Sequence, residues 1–167
     1  MNVRPKDGEN HRARQCSELN VVDKTLLNKL FLFIMATRSR IGLLIGDESV
    51  VSVYHHWDGY PAWLGAFLRK HYTTKDQISE LLDGGDISCI DSDTDWNNDK
   101  CEPHVLYYNA RGEDTEPRFD QSVEDYLDNG EEYAYLFENN EWVCYDLHKG
   151  VTLVDIPLAV VTHTGVK

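Results

Sequence analysis

The stretch HHWDGYP, residues 55–61, places two histidines, a tryptophan, an aspartate and a tyrosine where a strand should give way to a helix. An imidazole beside a carboxylate suits general acid–base work, with His55 or His56 as the base and Asp58 orienting it. The same residues suit a binding site. Trp57 or Tyr60 can stack on a flat ring, and Asp58 can orient a polar group. Arg38 and Arg40, just upstream, can hold an anion through forked guanidinium hydrogen bonds. Arg111, after a later strand, can supply a third guanidinium. The default reading is structural: Trp57 and Tyr60 packed on the following helix, Asp58 bonded to its own turn, and Arg111 paired with surrounding carboxylates. Consecutive strand residues point to opposite faces, so only one of the two histidines can line any one pocket.

Other chemistries lack their groups. The sequence holds no nucleophile elbow, no phosphate-cradling glycine loop and no HExxH run. Ser39 and Ser52 have nothing beside them that marks a nucleophile, and Cys144, among apolar strand neighbours, reads as a core thiol. Residues 91–102, DSDTDWNNDKCE, set Asp91, Asp93, Asp95, Asn97, Asp99 and Glu102 at positions one, three, five, seven, nine and twelve of a calcium loop. Trp96 stands where that loop needs Gly, Asn98 replaces its apolar anchor, and Pro103 blocks an exiting helix. The expectation is a solvated acidic loop, with no metal site and no cofactor. Cys16, Cys89, Cys101 and Cys144 form no CxxC pair and read as reduced thiols.

The elements that must position these groups follow from periodicity. RIGLLIG (40–46) and VVSVYHHW (50–57) are predicted strands joined into a hairpin at Gly46–Ser49. Alternation puts Val51, Val53, His55 and Trp57 on one face and Val50, Ser52, Tyr54 and His56 on the other. Pro61 suits the first position of a helix in which Trp63, Leu64, Phe67, Leu68 and His71 follow helical spacing. Thr74 and Gln77 are spaced as a capping box for a second helix, with Ile78, Leu81 and Leu82 as its buried stripe and Gly84-Gly85 as its stop. DISCI (86–90) and HVLYYNA (104–110) read as extended. SVEDYLDNG (122–130) reads as a short helix capped by Ser122. EYAYLFENNEWVCYDL (132–147) is a hairpin turning at Asn139-Asn140, and GVTLVDI (150–156) adds a last strand. The predicted fold is α+β: a mostly antiparallel sheet of five or six strands with two or three short helices packed on one face. Residues 37–157 form the single domain and 158–167 a C-terminal tail. Residues 1–36 are polar, mixed in charge and without period until Leu26, so they are expected to be disordered or to precede a true start at Met35. The apolar run LLNKLFLFIMA (26–36) is too short to span a bilayer. A basic leader before it loosely matches a secretory signal, but acidic residues interrupt that leader and no A-x-A cleavage site follows.

The run Thr37-Arg38-Ser39-Arg40-Ile41-Gly42, then Val53 to Pro61, then His71-Tyr72-Thr73 and Asp86-Ile87-Ser88, resembles a group of small proteins encoded by tailed bacteriophages. Arg111-Gly112-Glu113-Asp114 and Tyr133 to Phe137 are similar to its later segments, so the likeness covers roughly residues 35–147. Members of the group begin at the equivalent of Met35. The resemblance implies a phage origin and the cytoplasm of an infected bacterium. It brings no activity and no residue roles.

Charge bounds the partners. The chain of 167 residues carries a net charge of -13, and the first forty residues hold eight Lys and Arg against four Asp and Glu, the remainder eight against twenty-five. So acidic a body repels nucleic acid and anionic membrane, and an apolar content of 41% is enough for one core. The expected function is that of a phage accessory protein acting by binding, without catalysis. Two targets fit: a host or defence protein with a basic surface, or a small anionic nucleotide-like ligand at Arg38, Arg40, His55, His56, Trp57, Asp58, Tyr60 and Arg111. The alternative is a small hydrolase using His55 or His56 with Asp58.

Overall fold

The computed structural model describes residues 36–91 and 104–159. The leader, nearly all of the calcium-like loop, and the last eight residues lie outside them, and with them the expectations of a disordered leader and a solvated loop. In chain order the elements are β1 (Ser39–Ile45), β2 (Ser49–His55), a π turn (Pro61–Gly65) leading into α1 (Ala66–His71), α2 (Lys75–Asp83), β3 (Ile87–Asp91) and β4 (His104–Tyr107). A 3-10 turn (Tyr108–Arg111), β5 (Arg118–Asp120), α3 (Val123–Leu127), β6 (Tyr133–Glu138), β7 (Glu141–Asp146) and β8 (Thr152–Val154) complete the order.

Local rules explain most of these elements. Pro61 opens the π turn. Thr74 caps α2, accepting from the Gln77 amide while the Gln77 side chain reaches back to the Thr74 amide. Ser122 caps α3 in the same way at the Asp125 amide. Asn139 and Asn140 adopt φ of 51° and 63°, which lets a two-residue turn follow the twist of β6 and β7.

The sheet departs from the expected one. Among the described residues it has eight strands rather than five or six, in the order β4-β3-β2-β1-β6-β7-β8, with β5 set beside β2. It is also mixed rather than mostly antiparallel. β1 pairs parallel with β6 in the register Ile41↔Tyr135, and β2 pairs parallel with β3 at His55↔Ile87. Parallel neighbours need a long crossover. Between β2 and β6 the chain supplies one, running through α1, α2, three further strands and α3.

The helices take both faces, not one. Ile41, Leu43, Val53, Tyr135, Phe137 and Cys144 share one face of the sheet and pack against Leu64, Phe67, Leu68, Ile78, Leu81 and Leu82 of the π turn, α1 and α2. Each such fully buried aliphatic or aromatic side chain contributes roughly 1.5–3 kcal/mol. On the opposite face Val50, Ala134 and Leu136 pack under Tyr126 of α3, with Leu44, Val123, Leu127 and Tyr145 around them. Tyr126 is wholly buried, and its hydroxyl donates toward the backbone carbonyls of Arg40 (3.0 Å) and Tyr135 (2.7 Å). Among the described residues no helix is long and apolar enough to cross a membrane.

Candidate functional site

The two adjacent histidines part company at the end of β2. His55 pairs with Ser39 across the hairpin and faces the α1 and α2 layer, where it is fully buried. Its Nδ1 lies 3.3 Å from the Ser39 hydroxyl, and its Nε2 has no hydrogen-bond partner among the described residues. Burial, and then the neighbouring His56, pushes its pKa down to about 3, so the ring is neutral at ordinary pH. His56 faces the other way and is partly exposed. Its Nδ1 lies 2.5 Å from the Tyr54 hydroxyl, and its ring meets the edge of Trp57 at 4.7 Å. Burial, then the Glu131 carboxylate, pushes the Tyr54 hydroxyl up to about 12. The phenol therefore keeps its proton.

Tyr54 and His56 belong to a half of the second face that α3 leaves uncovered. Arg40 lies directly across from Tyr54. One guanidinium nitrogen donates to the Ser52 hydroxyl at 3.2 Å, and the Nε is buried without an acceptor among the described residues. Glu131 flanks it. Burial raises that carboxyl group's pKa, against the pull of Arg40 and then Arg38. Arg38 itself clasps Glu132, its backbone amide on one carboxylate oxygen and its guanidinium 3.3 Å from the other, and this contact raises its pKa. On the far side stands Tyr108, its ring 6.4 Å from that of Tyr54, with the Arg111 guanidinium 5.6 Å above it.

Asp86 fixes this frame. The outer edge of β2 pairs with β5 at Val50–Ser52 and with β3 only at His55, which leaves the Tyr54 amide between two strands. Asp86 Oδ1 accepts that amide at 2.8 Å, while the Asp86 carbonyl accepts the Tyr108 amide at 2.9 Å. One residue thus ties the Tyr54 strand to the Tyr108 turn.

The structure therefore gathers Arg38, Arg40, His56 and Arg111 around Tyr54 and Tyr108, and sends His55 to the core. Trp57, 39% exposed, closes one side against His56. Asp58 is exposed with a left-handed φ of 59°, a conformation that short polar side chains tolerate. Tyr60 accepts the Trp63 and Leu64 amides through its carbonyl, and burial, then Asp58, pushes its hydroxyl up to about 12. Sequence reasoning had passed over Tyr54, Tyr108, Asp86 and Glu131. Tyr54 was legible, because it alternates with His56 on one strand face. Tyr108 and Glu131 come from loops far apart in the chain, and no local pattern marks them.

A concave region lies elsewhere, a groove of about 610 Å³ between the end of α1 and the start of α2, lined by Lys70, Tyr72, Thr73, Gln77, Glu80 and Tyr107 among others. None of the sequence-predicted site residues lines it. Cys144 is buried in β7, and burial pushes its thiol up to about 12, which makes it unreactive. Among the described residues no three His, Cys, Asp or Glu side chains stand close enough together to hold a metal ion. Comparison with family models, with curated proteins and with solved structures returned no match.

Proposed function

We propose that this chain is a phage-encoded accessory protein that acts by binding, without catalysis, and that the Tyr54–Tyr108 face takes a small anionic ligand carrying a flat ring. The observation that carries the reading is Arg40: a half-buried guanidinium directly across from Tyr54, with one nitrogen donating to Ser52. A guanidinium carries several donors in a fixed fork, so its remaining nitrogen can meet a carboxylate or phosphate. Tyr54, Tyr108, His56 and Trp57 offer ring faces next to it. Three of the eight Lys and Arg residues described stand around this face of an otherwise acidic body.

The hydrolase alternative loses support for His55, since a general base has to reach its substrate and His55 does not reach solvent. The acidic body favours a second reading, a basic host or defence protein as the partner. Native mass spectrometry of the full chain purified from bacterial cells tests both. A retained small mass that Arg40→Gln abolishes supports the anion site. A retained protein that is indifferent to Arg40→Gln supports the acidic-body reading, and a bare chain in both preparations counts against binding.

A further inference from the structure

The segment between the 3-10 turn and β5, residues 112–117, has no regular structure and lies mostly at the surface, yet it is pinned at closely spaced points. Asn109 spends its whole side chain on this. Its amide nitrogen donates to the carbonyls of Gly84 (2.9 Å) and Thr115 (3.2 Å). Its amide oxygen accepts from the Thr115 backbone amide (2.8 Å) and hydroxyl (3.0 Å). The Thr115 hydroxyl in turn accepts the Asp86 amide at 3.0 Å. A side chain at residue 85 would block the clasp. Gly85 has a φ of 80°, and a Cβ there would lie 2.4 Å from the Thr115 carbonyl and 2.9 Å from Asn109 Nδ2.

An exposed asparagine can satisfy itself with water, so its full commitment to the protein points to what the clasp holds. At its end stands Asp86, which accepts the amides of both Tyr54 and Tyr108. One unbroken path of hydrogen bonds thus runs from Asn109 through Thr115 and Asp86 to the Tyr54 strand. Tyr108 and Arg111 flank Asn109 in the chain, and the Arg111 guanidinium lies over the Tyr108 ring. We propose that the Asn109–Thr115 clasp is the positioning device of the Tyr54 face, holding Tyr108 and Arg111 beside Tyr54 so that a flat ring is selected as well as an anion. This rests on the binding reading above and adds what selects the ring. Arg40 belongs to β1 and can meet an anion without the clasp. Without the clasp, residues 108–117 must be ordered by the ligand itself, and that cost falls on the ring and not on the anion.

Calorimetric titration of the full chain with AMP and with ribose 5-phosphate, the same anion without the base, tests this. The expected result is AMP binding at least about tenfold tighter than ribose 5-phosphate. Thr115→Val, which removes the hydroxyl between Asn109 and Asp86, should erase most of that difference with the circular dichroism spectrum unchanged. Ribose 5-phosphate binding should move by less than about twofold. Thr115→Ser keeps the hydroxyl and should restore the preference for AMP. Asn109→Asp, which keeps the acceptor and loses both donors, carries the same test should Thr115→Val not fold. A wild-type chain that binds the two probes equally overturns the proposal. So do folded clasp variants that keep the preference, or that weaken both probes alike. A wild-type chain that binds neither probe overturns the binding reading itself.

Discussion

His55 and His56 are the same side chain, one peptide apart, and the fold uses them in opposite ways. The first lies in a closed layer between the sheet and two helices, neutral and shut off from water. The second lies on a face that one five-residue helix only half covers, joined to Tyr54 and open to anything that approaches. The pleat alone separates them. A histidine-rich string is therefore no unit of function. Its members must be sorted by face before any chemistry is assigned to them. After sorting, Tyr54, Arg40, His56 and Tyr108 form the group that could meet a ligand, and His55 joins Ser39 and Tyr135 in the core.

Acid should break the closed side first. The folded state holds His55 neutral down to about pH 3, whereas the unfolded chain takes up that proton near 6.5. Unfolding is thus favoured as pH falls between those values, and the stability present above about pH 6.5 should decline by about 4–5 kcal/mol near pH 3. Urea titrations at stepped pH should show this decline, with the slope flattened in His55→Gln. A decline of the same size in His55→Gln would assign it to other groups. Next in size is Gly59→Ala. A methyl group there would sit 2.5 Å from the Ser39 hydroxyl and 2.7 Å from the Thr37 carbonyl, so a loss of roughly 2–3 kcal/mol is expected from the same titrations. On the other face, Tyr126→Phe strips the donor from two buried carbonyls and should cost about 1–2 kcal/mol. Trp57→Ala should cost the least, below about 1 kcal/mol, because the ring is substantially exposed. A loss of about 3 kcal/mol or more would return Trp57 to the core and collapse the contrast.

What the sequence could reveal depended on how local each determinant is. The capping box at Thr74 and Gln77, the Asn139-Asn140 turn and the alternation through β2 are written within a few residues, and each appears in the fold. β5 was missed because Arg118–Asp120 is too short to show a period. The parallel pairing of β1 with β6 joins segments about ninety residues apart, and nothing in either names the other. The choice of face for α3 turns on Tyr126 closing over Gly42, where Val50 and the ring together leave no room for a Cβ. That contact is equally non-local. At the candidate site the strand residues were legible and the loop residues were not, since Asp86, Tyr108 and Glu131 reach Tyr54 only through the sheet.

We propose that the open face around Tyr54 is where a small anionic ligand meets this protein. Amide and side-chain NMR of the full chain during titration with AMP up to about 10 mM tests it directly. Saturable shifts should gather at Arg40, Tyr54, His56, Trp57, Tyr108 and Arg111 and vanish in Arg40→Gln. Shifts that gather instead along the Lys70–Leu81 groove, or a spectrum that AMP leaves unchanged, would contradict it.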